Sequence, residues 1–337
     1  MSERHPIVGI TMGDPGGIGP EVIAKAYGGL LERSRPIVIG DADVIEAAIE
    51  VCDLDLSVER VDDVADASFA DDRIPVLDLD NVAEIVRGEV KEEHGVASLE
   101  YIERAIELAK AGSIDAITTA PINKQATKLA GSDYAGHTGM LADHTNTENY
   151  SMMLVEDELR VTHVSTHVPL REACDLVTEE NVLSVIRLTD EALSDLGIES
   201  PSIAVAGLNP HASDGGLLGN EDGEEIEPAV QQARSEGIDV EGPESPDTIY
   251  VRAARGEFDC VVSMYHDEGH IPIKMLGFAG GDAVSGVNVT IGLPIIRTSV
   301  DHGTAFDIAG EGIASERSLI DAVDVAVDMA SSGRSKR

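Results

Sequence analysis

Short apolar segments alternate with longer segments of helical period along the chain, and this alternation constrains the fold more than any other feature. Ile7–Thr11, Ile114–Thr119 and Ile203–Leu208 have the length and composition of buried strands. Glu92–Gly112 and Glu179–Leu196 repeat apolar residues at the spacing of one helix face. Alternating strands and helices favour a mostly parallel sheet with helices on both faces, so the sequence predicts an α/β fold.

The length of 337 residues suits two domains, at roughly 100–200 residues per domain. No repeat, low-complexity segment or long linker divides the chain. We therefore expect two packed lobes between which the chain crosses directly. One local exception to parallel pairing is expected, because Tyr150–Val155 and Leu159–Ser165 flank a three-residue turn.

The chain is strongly acidic, with 63 Asp and Glu residues against 24 Lys and Arg residues and a net charge of −39. The acids are spread along a sequence that is 42% hydrophobic, which argues against a disordered acidic protein. A folded protein with an acidic surface is expected in a salt-rich cytoplasm, where ions screen the self-repulsion. The same charge disfavours non-specific binding of nucleic acid.

The three cysteines, Cys52, Cys174 and Cys260, form no CxxC pair and indicate a reducing compartment without a disulfide framework. No apolar run reaches the ~20 residues of a membrane span. The N-terminus leads directly into a strand pattern, without the features of a signal peptide. We therefore expect a cytoplasmic protein that binds no membrane.

Histidines cluster at the ends of predicted strands. His163 and His167 accompany Leu159–Ser165, His211 follows Ile203–Leu208, and His266 and His270 follow Phe258–Met264. Ligands of open α/β sheets bind at the carboxyl ends of strands, and imidazole is the usual ligand of a divalent transition metal. This spacing indicates a metal site with three histidine ligands. The alternative is a set of core or capping histidines, since no dense motif such as HExxH decides between them.

An anionic substrate would need a local cationic pocket in so acidic a chain. Lys274 has apolar neighbours, and Arg297 interrupts the apolar segment 294–300. His137 and Thr138 precede a possible helix, whose N-terminus is suited to an anion. Surface ion pairs remain the alternative for Lys274 and Arg297.

Several loops have two interpretations. Met12–Pro20 is a glycine-rich loop between a strand and a helix, as in phosphate-binding turns, but it matches neither GxGxxG nor the P-loop pattern and equally suits a tight turn. Asp301–Thr304 suits either a cofactor pocket or a turn. Asp247 suits either a proton-transfer role or the cap of a helix that begins at Thr248. The carboxylate-rich loop 221–225 is expected to be solvated surface.

With these residues considered together, the sequence resembles the 4-hydroxythreonine-4-phosphate dehydrogenase (PdxA) family, including its D-threonate- and D-erythronate-4-phosphate dehydrogenase relatives. The resemblance extends nearly from end to end and rests on Ile10–Glu21, Gly136–Thr138, Ser165–Leu170, Leu208–His211, Tyr265–Asp267 with Gly269, and Gly292–Thr304. It implies two α/β/α lobes with a cleft, as in isocitrate and isopropylmalate dehydrogenases, without the Rossmann GxGxxG fingerprint. On this basis we expect residues 1–135 and 290–337 in one lobe. Residues 136–289 would form the other, with the metal histidines and the dimer contacts.

The resemblance also implies roles for individual residues. His167, His211 and His266 match the ligands of a divalent metal, which would be Zn, Mg, Mn or Co. His137, Thr138, Lys274, Asn288 and Arg297 match the substrate contacts. Asp301, Gly303 and Thr304 are our candidates for binding NAD, and Lys274, Asp247 and Asp267 for proton transfer. Family members are homodimers whose site draws residues from both subunits.

The expected reaction is the NAD-linked oxidation and decarboxylation of 4-phosphooxy-L-threonine to 3-amino-2-oxopropyl phosphate and CO2. The alternative substrates are D-threonate and D-erythronate 4-phosphate, because Glu268, His270 and the segment 279–285 depart from the pattern of the enzyme of vitamin B6 synthesis. A phosphate acyltransferase-like enzyme and a non-catalytic phosphometabolite-binding protein are more distant alternatives. The identity of the metal, the preference for NAD or NADP and the general base stay open.

Overall fold

The structure, a computed structural model, describes residues 5–134, 136–279 and 286–335. The strands in chain order are β1 (Ile7–Thr11), β2 (Arg35–Gly40), β3 (Ser57–Val61), β4 (Arg73–Asp78), β5 (Ala116–Thr119), β6 (Ser151–Glu156), β7 (Leu159–His163), β8 (Ser202–Ala206), β9 (Asp239–Glu244), β10 (Cys260–Ser263), β11 (Val287–Ile291) and β12 (Arg297–Val300). The helices are α1 (Gly19–Leu30), α2 (Ala42–Val51), α3 (Glu92–Ala111), α4 (Lys124–Leu129), α5 (His137–Thr145), α6 (Leu170–Leu176), α7 (Glu179–Asp195), α8 (Glu227–Ser235), α9 (Pro246–Ala253), α10 (His266–Ala279) and α11 (Arg317–Ser335). Within the described ranges, no helix combines the length and the apolar character needed to cross a membrane.

The chain forms two compact units, Met1–Thr147 with Leu293–Arg337 and Glu148–Gly292. Helix α5 belongs to the first unit, because Met140 and Leu141 pack into its core. Strand β11 belongs to the second unit, because it pairs along its whole length with β6. The boundaries expected from the sequence, near residues 135 and 289, differ from these. They would place α5 in the second lobe and would divide β11 between the two lobes.

The first unit contains a parallel sheet in the order β3-β4-β2-β1-β5-β12. Strands β1 and β2 are fully buried along most of their length, as expected of strands covered on both faces. Helix α1 begins with Pro20 in its first turn, where the missing N–H has no intrahelical partner to lose. Helix α3 ends at Gly112 in the left-handed conformation, at φ 72°. The predicted α/β class is therefore confirmed.

The second unit contains a mixed sheet in the order β11-β6-β7-β10-β8-β9. Strand β6 is antiparallel to both β7 and β11, and the pairs from β7 to β9 are parallel. The antiparallel pair predicted across the turn at Glu156 is confirmed. The core joins Val161, Ala204 and Val261 of the sheet to Ile249 of α9 and Ile273 of α10.

Helix α10 directly follows the segment Phe258–Met264, which the sequence predicts as a strand, and is not itself predicted from the sequence. Gly269 and Pro272 both disfavour a helix interior. The helix forms because it packs on β6, β7 and β10 and buries His270 and Ile273, so tertiary burial outweighs local propensity. The segment 279–285 that sequence analysis singled out lies, from residue 280 onwards, outside the described residues.

Candidate functional site

Three histidines follow three adjacent parallel strands of the second unit. Strand β10 lies between β7 and β8, and its Ser263 pairs with His163 of β7. Because parallel strands end at a common edge, the segments that carry His167, His211 and His266 leave the sheet on the same side. Their role as metal ligands stays a prediction.

His167 and His266 lie side by side, with ring centroids 5.6 Å apart. Both line one pocket, together with Tyr265 and Asp267. His266 Nδ1 lies 2.7 Å from Asp267 Oδ1, which favours a proton on Nδ1 and a lone pair on Nε2. A carboxylate on the second ring nitrogen is the usual arrangement behind a metal-binding histidine.

A row of imidazole rings continues inward from His266. The His270 ring stacks on it at 3.6 Å and 11°, and His270 Nδ1 lies 2.9 Å from the His266 carbonyl oxygen. The next ring, that of His163, is 4.8 Å from His270. Burial, followed by the charge of His270, lowers the pKa of His163 to about 3, so this ring is neutral at physiological pH. His270, which the sequence shows both as a histidine after a predicted strand and as a departure from the family pattern, thus supports the ring of His266.

His211 lies in a neighbouring pocket that also contains Asp247, Tyr265 and Asp267. Its Nδ1 is 3.4 Å from Ser245 Oγ, and the Ser245 hydroxyl donates to Asp247 Oδ1 at 2.7 Å. Asp247 lies in the first turn of α9, which begins at Pro246, and not at the cap of a helix that begins at Thr248. The carboxylate is therefore linked to the His211 ring through one hydroxyl.

The imidazole nitrogens of this site are suitable ligands for a transition metal, but the described residues of one chain do not bring a complete set of ligands together. His266 and His211 each have Nδ1 near an oxygen of the protein, which leaves Nε2 for a ligand. Within the described ranges of one chain, no group of three or more His, Cys, Asp or Glu side chains is arranged to hold a metal ion.

Asp222 contradicts the expectation that the loop 221–225 is solvated. Its side chain is 1% exposed and accepts hydrogen bonds from the segment 208–213, which contains His211. Its neighbour Glu224 is exposed as expected. A stretch rich in carboxylates is expected to be exposed to solvent. Asp222 is buried because Asn209, 13 residues earlier in the chain, lies against it in the folded protein, and the sequence alone does not show this contact.

The first unit contains a cationic pocket at the carboxyl ends of β5 and β12, which are adjacent and parallel. Its lining includes Lys124 and Thr119. Arg297, the first residue of β12, is not among the described residues that line it but is buried behind Thr119, where its Nη2 donates a hydrogen bond to Thr119 Oγ1 at 2.7 Å. Burial lowers the pKa of Arg297 to about 9, because low-polarity surroundings disfavour the charged form.

His137 and Thr138 are the first two residues of α5. His137 as a whole is half-buried, and its Nε2 is buried and has no hydrogen-bond partner within the described ranges. Its pKa lies well below the usual value because of burial first and then the charges of Arg297 and Lys124. Lys124 also lines the pocket and was missed by the sequence analysis, although it follows the end of a predicted strand by five residues.

Lys274 and Asn288 lie elsewhere in the second unit. Lys274 is in α10, about two turns beyond His266. Asn288 pairs with Leu154, which in turn pairs with Val161, so it lies in the middle of the sheet and not at its carboxyl edge. Its Nδ2 contacts Met152 Sδ at 2.8 Å. The second unit therefore does not bring Asn288 to the three histidines.

Of the three candidate cofactor residues, Thr304 contacts the glycine-rich loop. The Ile18 N–H donates to the Thr304 carbonyl oxygen at 3.0 Å, and a Cβ on Gly17 would lie 3.0 Å from Thr304 Cβ. The loop is buried throughout, which supports the tight-turn interpretation over an open phosphate cradle. Asp301 is half-buried, and Gly303 lies at the mouth of the cationic pocket.

Comparison with known proteins gives consistent matches over nearly the whole chain. The family model described as pyridoxal phosphate biosynthetic protein PdxA matches residues 32–326. A protein of Oceanobacillus iheyensis, provisionally named a D-threonate 4-phosphate dehydrogenase, is 51% identical over 334 residues, which cover 97% of this chain and 98% of that protein. The 4-hydroxythreonine-4-phosphate dehydrogenase of Desulforapulum autotrophicum is 46% identical over 332 residues, with 97% and 96% covered. The crystal structure of 4-hydroxythreonine-4-phosphate dehydrogenase from Klebsiella pneumoniae matches with a TM-score of 0.87 and 42% identity, and covers 96% of this chain and 99% of that one.

Proposed function

Because the chain belongs to the PdxA family, we propose that it is a metal-dependent, NAD-linked dehydrogenase that oxidises and decarboxylates a small phosphorylated hydroxy acid. The observation that carries the proposal is the delivery of His167, His211 and His266 by three adjacent parallel strands. Neither a phosphate acyltransferase nor a simple binding protein requires three imidazoles at one sheet edge.

The reaction removes hydride from the carbon that bears the secondary hydroxyl, and the hydroxyl proton passes to a base. The resulting 3-keto acid loses CO2 and takes up one proton at the adjacent carbon. When bound, the metal would polarise the alcohol and developing enolate oxygens and NAD would accept the hydride. His167, His211 and His266 would hold the metal.

Asp267 and Asp247 are our candidates for the base, because each is exposed to the pocket of His211 and an ionised carboxylate can accept the hydroxyl proton. Lys274 is the third candidate. The geometry does not favour one of the three, so they remain alternatives.

Five residues keep the anion-binding roles that the family pattern implies. Arg297, His137 and Thr138 provide a buried cation and a helix N-terminus for the phosphate or carboxylate. Lys274 and Asn288 keep the substrate-binding roles that the family pattern implies. Asp301, Gly303 and Thr304 keep their proposed role in binding NAD.

The substrate is a four-carbon acid phosphorylated at C4 and hydroxylated at C3. An amino group at C2 gives 4-phosphooxy-L-threonine and the product 3-amino-2-oxopropyl phosphate. A hydroxyl at C2 gives D-threonate or D-erythronate 4-phosphate and the product dihydroxyacetone phosphate. The relative with 51% identity is provisionally named a D-threonate 4-phosphate dehydrogenase. We therefore place D-threonate 4-phosphate beside 4-phosphooxy-L-threonine as an equal candidate.

The protein acts as a homodimer with a site shared between subunits. Support comes from the incomplete ligand set within the described ranges of one chain. Further support comes from an apolar surface beside the His211 pocket, formed by Val251, Ile271 and Met275, which are 52%, 57% and 68% exposed. A second copy would cover this surface.

The acidic surface adapts the protein to a salt-rich cytoplasm. A net charge of −39 creates self-repulsion that salt screens over a Debye length of about 3 Å at 1 M. The three cysteines are free thiols, which supports a reducing compartment.

The test follows NADH absorbance in high salt with Zn²⁺, Mn²⁺, Mg²⁺ or Co²⁺ and each of the three phosphorylated acids. We expect metal-dependent NADH formation that a chelator abolishes, with one acid preferred by kcat/KM. His167→Ala, His211→Ala and His266→Ala should each abolish turnover. No NADH from any acid in the presence of metal would refute the dehydrogenase proposal. Acyl transfer that survives in His211→Ala would instead support the acyltransferase alternative.

A further inference from the structure

The buried carboxylate of Asp222 gathers donors from the segment that carries His211. The Leu208 N–H donates to Oδ1 at 2.8 Å. Oδ2 accepts from the Asn209 N–H at 3.3 Å, from Asn209 Nδ2 at 2.8 Å, and from the Ser213 hydroxyl. These donors lie on both sides of His211 in the chain. The contact is tight, because a Cβ on Gly207 would lie 2.5 Å from Asp222 Oδ1.

The backbone that Asp222 holds is strained. His211, Ala212, Ser213 and Asp214 have φ values of 55°, 50°, 63° and 44°, so four consecutive residues other than glycine lie in the left-handed region. Non-glycine residues avoid this region because Cβ approaches the following carbonyl oxygen. Such a conformation persists only where surrounding interactions over-determine it. Asp222 binds the Ser213 hydroxyl inside this run and the N–H groups of Leu208 and Asn209 just before it. Two backbone hydrogen bonds, from Ala212 to Asn209 and from Leu218 to Ser213, also hold the turn.

The conformation of this segment decides where the His211 imidazole points. Among the residues that the structure describes, the ring has one side-chain hydrogen bond, the 3.4 Å approach of Ser245 Oγ to Nδ1, which is too long to hold it firmly. The direction of the ring therefore depends mainly on the backbone of the turn, which Asp222 anchors on both sides of His211, at Leu208 and Asn209 and at Ser213.

We propose that Asp222 is a positioning residue that pre-organises His211 for metal binding, an inference that rests on the proposed metal-dependent function. Asp222 does not contact the ligand nitrogen. It fixes the strained turn so that His211 meets the metal without a reordering cost, as outer-shell partners of metal ligands do in general.

The first test measures binding of Zn²⁺ and Co²⁺ to the full-length metal-free protein by titration, together with the visible absorption of bound Co²⁺. Asp222→Asn replaces one acceptor oxygen with an NH2 group, which would lie against the N–H or O–H donors of Leu208, Asn209 or Ser213. We expect its dissociation constants to rise about 10–100-fold and the Co²⁺ spectrum to change. Asp222→Glu keeps the carboxylate and should recover part of the affinity. Glu224→Gln removes the same charge from an exposed neighbour and should bind metal as the wild type does.

A second readout needs no metal. Amide hydrogen exchange at Leu208 and Asn209 should accelerate in Asp222→Asn, because their N–H groups lose the carboxylate acceptor. If Asp222→Asn does not fold, Ser213→Ala decides, since it removes only the hydroxyl donor and should weaken metal binding in the same direction by a smaller factor.

Two outcomes separate this inference from the proposed function. A wild-type protein that binds neither metal ion would refute the metal-dependent function and this inference with it. Wild-type metal affinity and an unchanged Co²⁺ spectrum in a folded Asp222 variant would refute the positioning role alone.

Discussion

Arg297 donates a hydrogen bond from Nη2 to Thr119 Oγ1 at 2.7 Å, and both side chains are buried. The bond joins the first residue of β12 to the last residue of β5. It holds a guanidinium in surroundings that lower its pKa to about 9. Removing a cation from water is costly unless an anion accompanies it, and a phosphate or carboxylate of the substrate is the anion that our proposal assigns to Arg297.

Replacing Arg297 by lysine should raise KM for the phosphorylated substrate at least tenfold and lower kcat less. Lysine lacks the planar fork that binds an oxyanion through two parallel hydrogen bonds, and a hydrogen bond to a charged group contributes about 1.5–3 kcal/mol. Steady-state kinetics checks this. Arg33→Lys is the matched control, because Arg33 makes exposed ion pairs with Asp324 and Asp328. Equal KM values for Arg297→Lys and the wild type would contradict the assignment.

Replacing Glu268 by glutamine should change the pH dependence of stability. Burial raises the pKa of Glu268 from 4.5 to about 8, partly opposed by hydrogen bonds from the N–H groups of Met264 and Tyr265. Between these two pH values the folded state binds more protons than the unfolded state, so this residue's contribution to stability declines as pH rises and levels off above about 8. Glutamine keeps an acceptor oxygen without titrating.

The free energy of unfolding in urea, measured from pH 5 to pH 9 with a chelator present, tests this prediction. The free energy of unfolding of Glu268→Gln should not show this decline with pH. Above pH 8 it should exceed that of the wild type by an amount on the order of a few kcal/mol. Glu224→Gln, an exposed control, should follow the wild type. Parallel profiles for Glu268→Gln and the wild type would mean that Glu268 does not titrate in this range.

Mixing two inactive histidine variants should restore activity if the metal ligands come from both subunits. In this arrangement each site uses His211 of one subunit and His266 of the other. A heterodimer of His211→Ala and His266→Ala then has both substitutions in one site and leaves the other site intact. Random pairing puts half of the dimers in this class, so about a quarter of the wild-type activity is expected. The mixture is measured after unfolding and refolding together, with each variant refolded alone as the control. No recovery would place both ligands in one chain.

The folded state should require salt. At ~0.1 M the Debye length is about 10 Å, and at 1 M it is about 3 Å. Repulsion among 63 acidic residues is therefore much stronger at low salt, and the melting temperature should rise continuously from 0.1 M to 2 M KCl. Melting curves by circular dichroism test this, with a less acidic relative as control. A melting temperature that does not depend on salt would contradict the adaptation.

The sequence is sufficient for the parts of the molecule that local periodicity specifies. The strand and helix pattern predicts the α/β class, the antiparallel pair β6 and β7, and the strands that precede His167, His211 and His266. The match of short motifs over the whole chain predicts the PdxA family. These features can be predicted from short stretches of sequence, because residues that share one face of a strand or helix are only two to four positions apart in the chain.

Features that depend on distant neighbours could not be read in this way. The helix α10 contains Gly269 and Pro272 and forms because β6, β7 and β10 bury its inner face. Helix α5 lies in the first unit because Met140 and Leu141 pack into that core.

The sequence by itself thus determined the class of fold, the family and the residue types of the site. The tertiary structure decided which of these side chains are buried, and with that their chemistry. Arg297 and Asp222 look like ordinary charged residues in a sequence rich in charge. One is a buried cation beside Thr119, and the other is a buried acceptor beneath His211, because desolvation and hydrogen bonding act between residues that only the folded chain brings together.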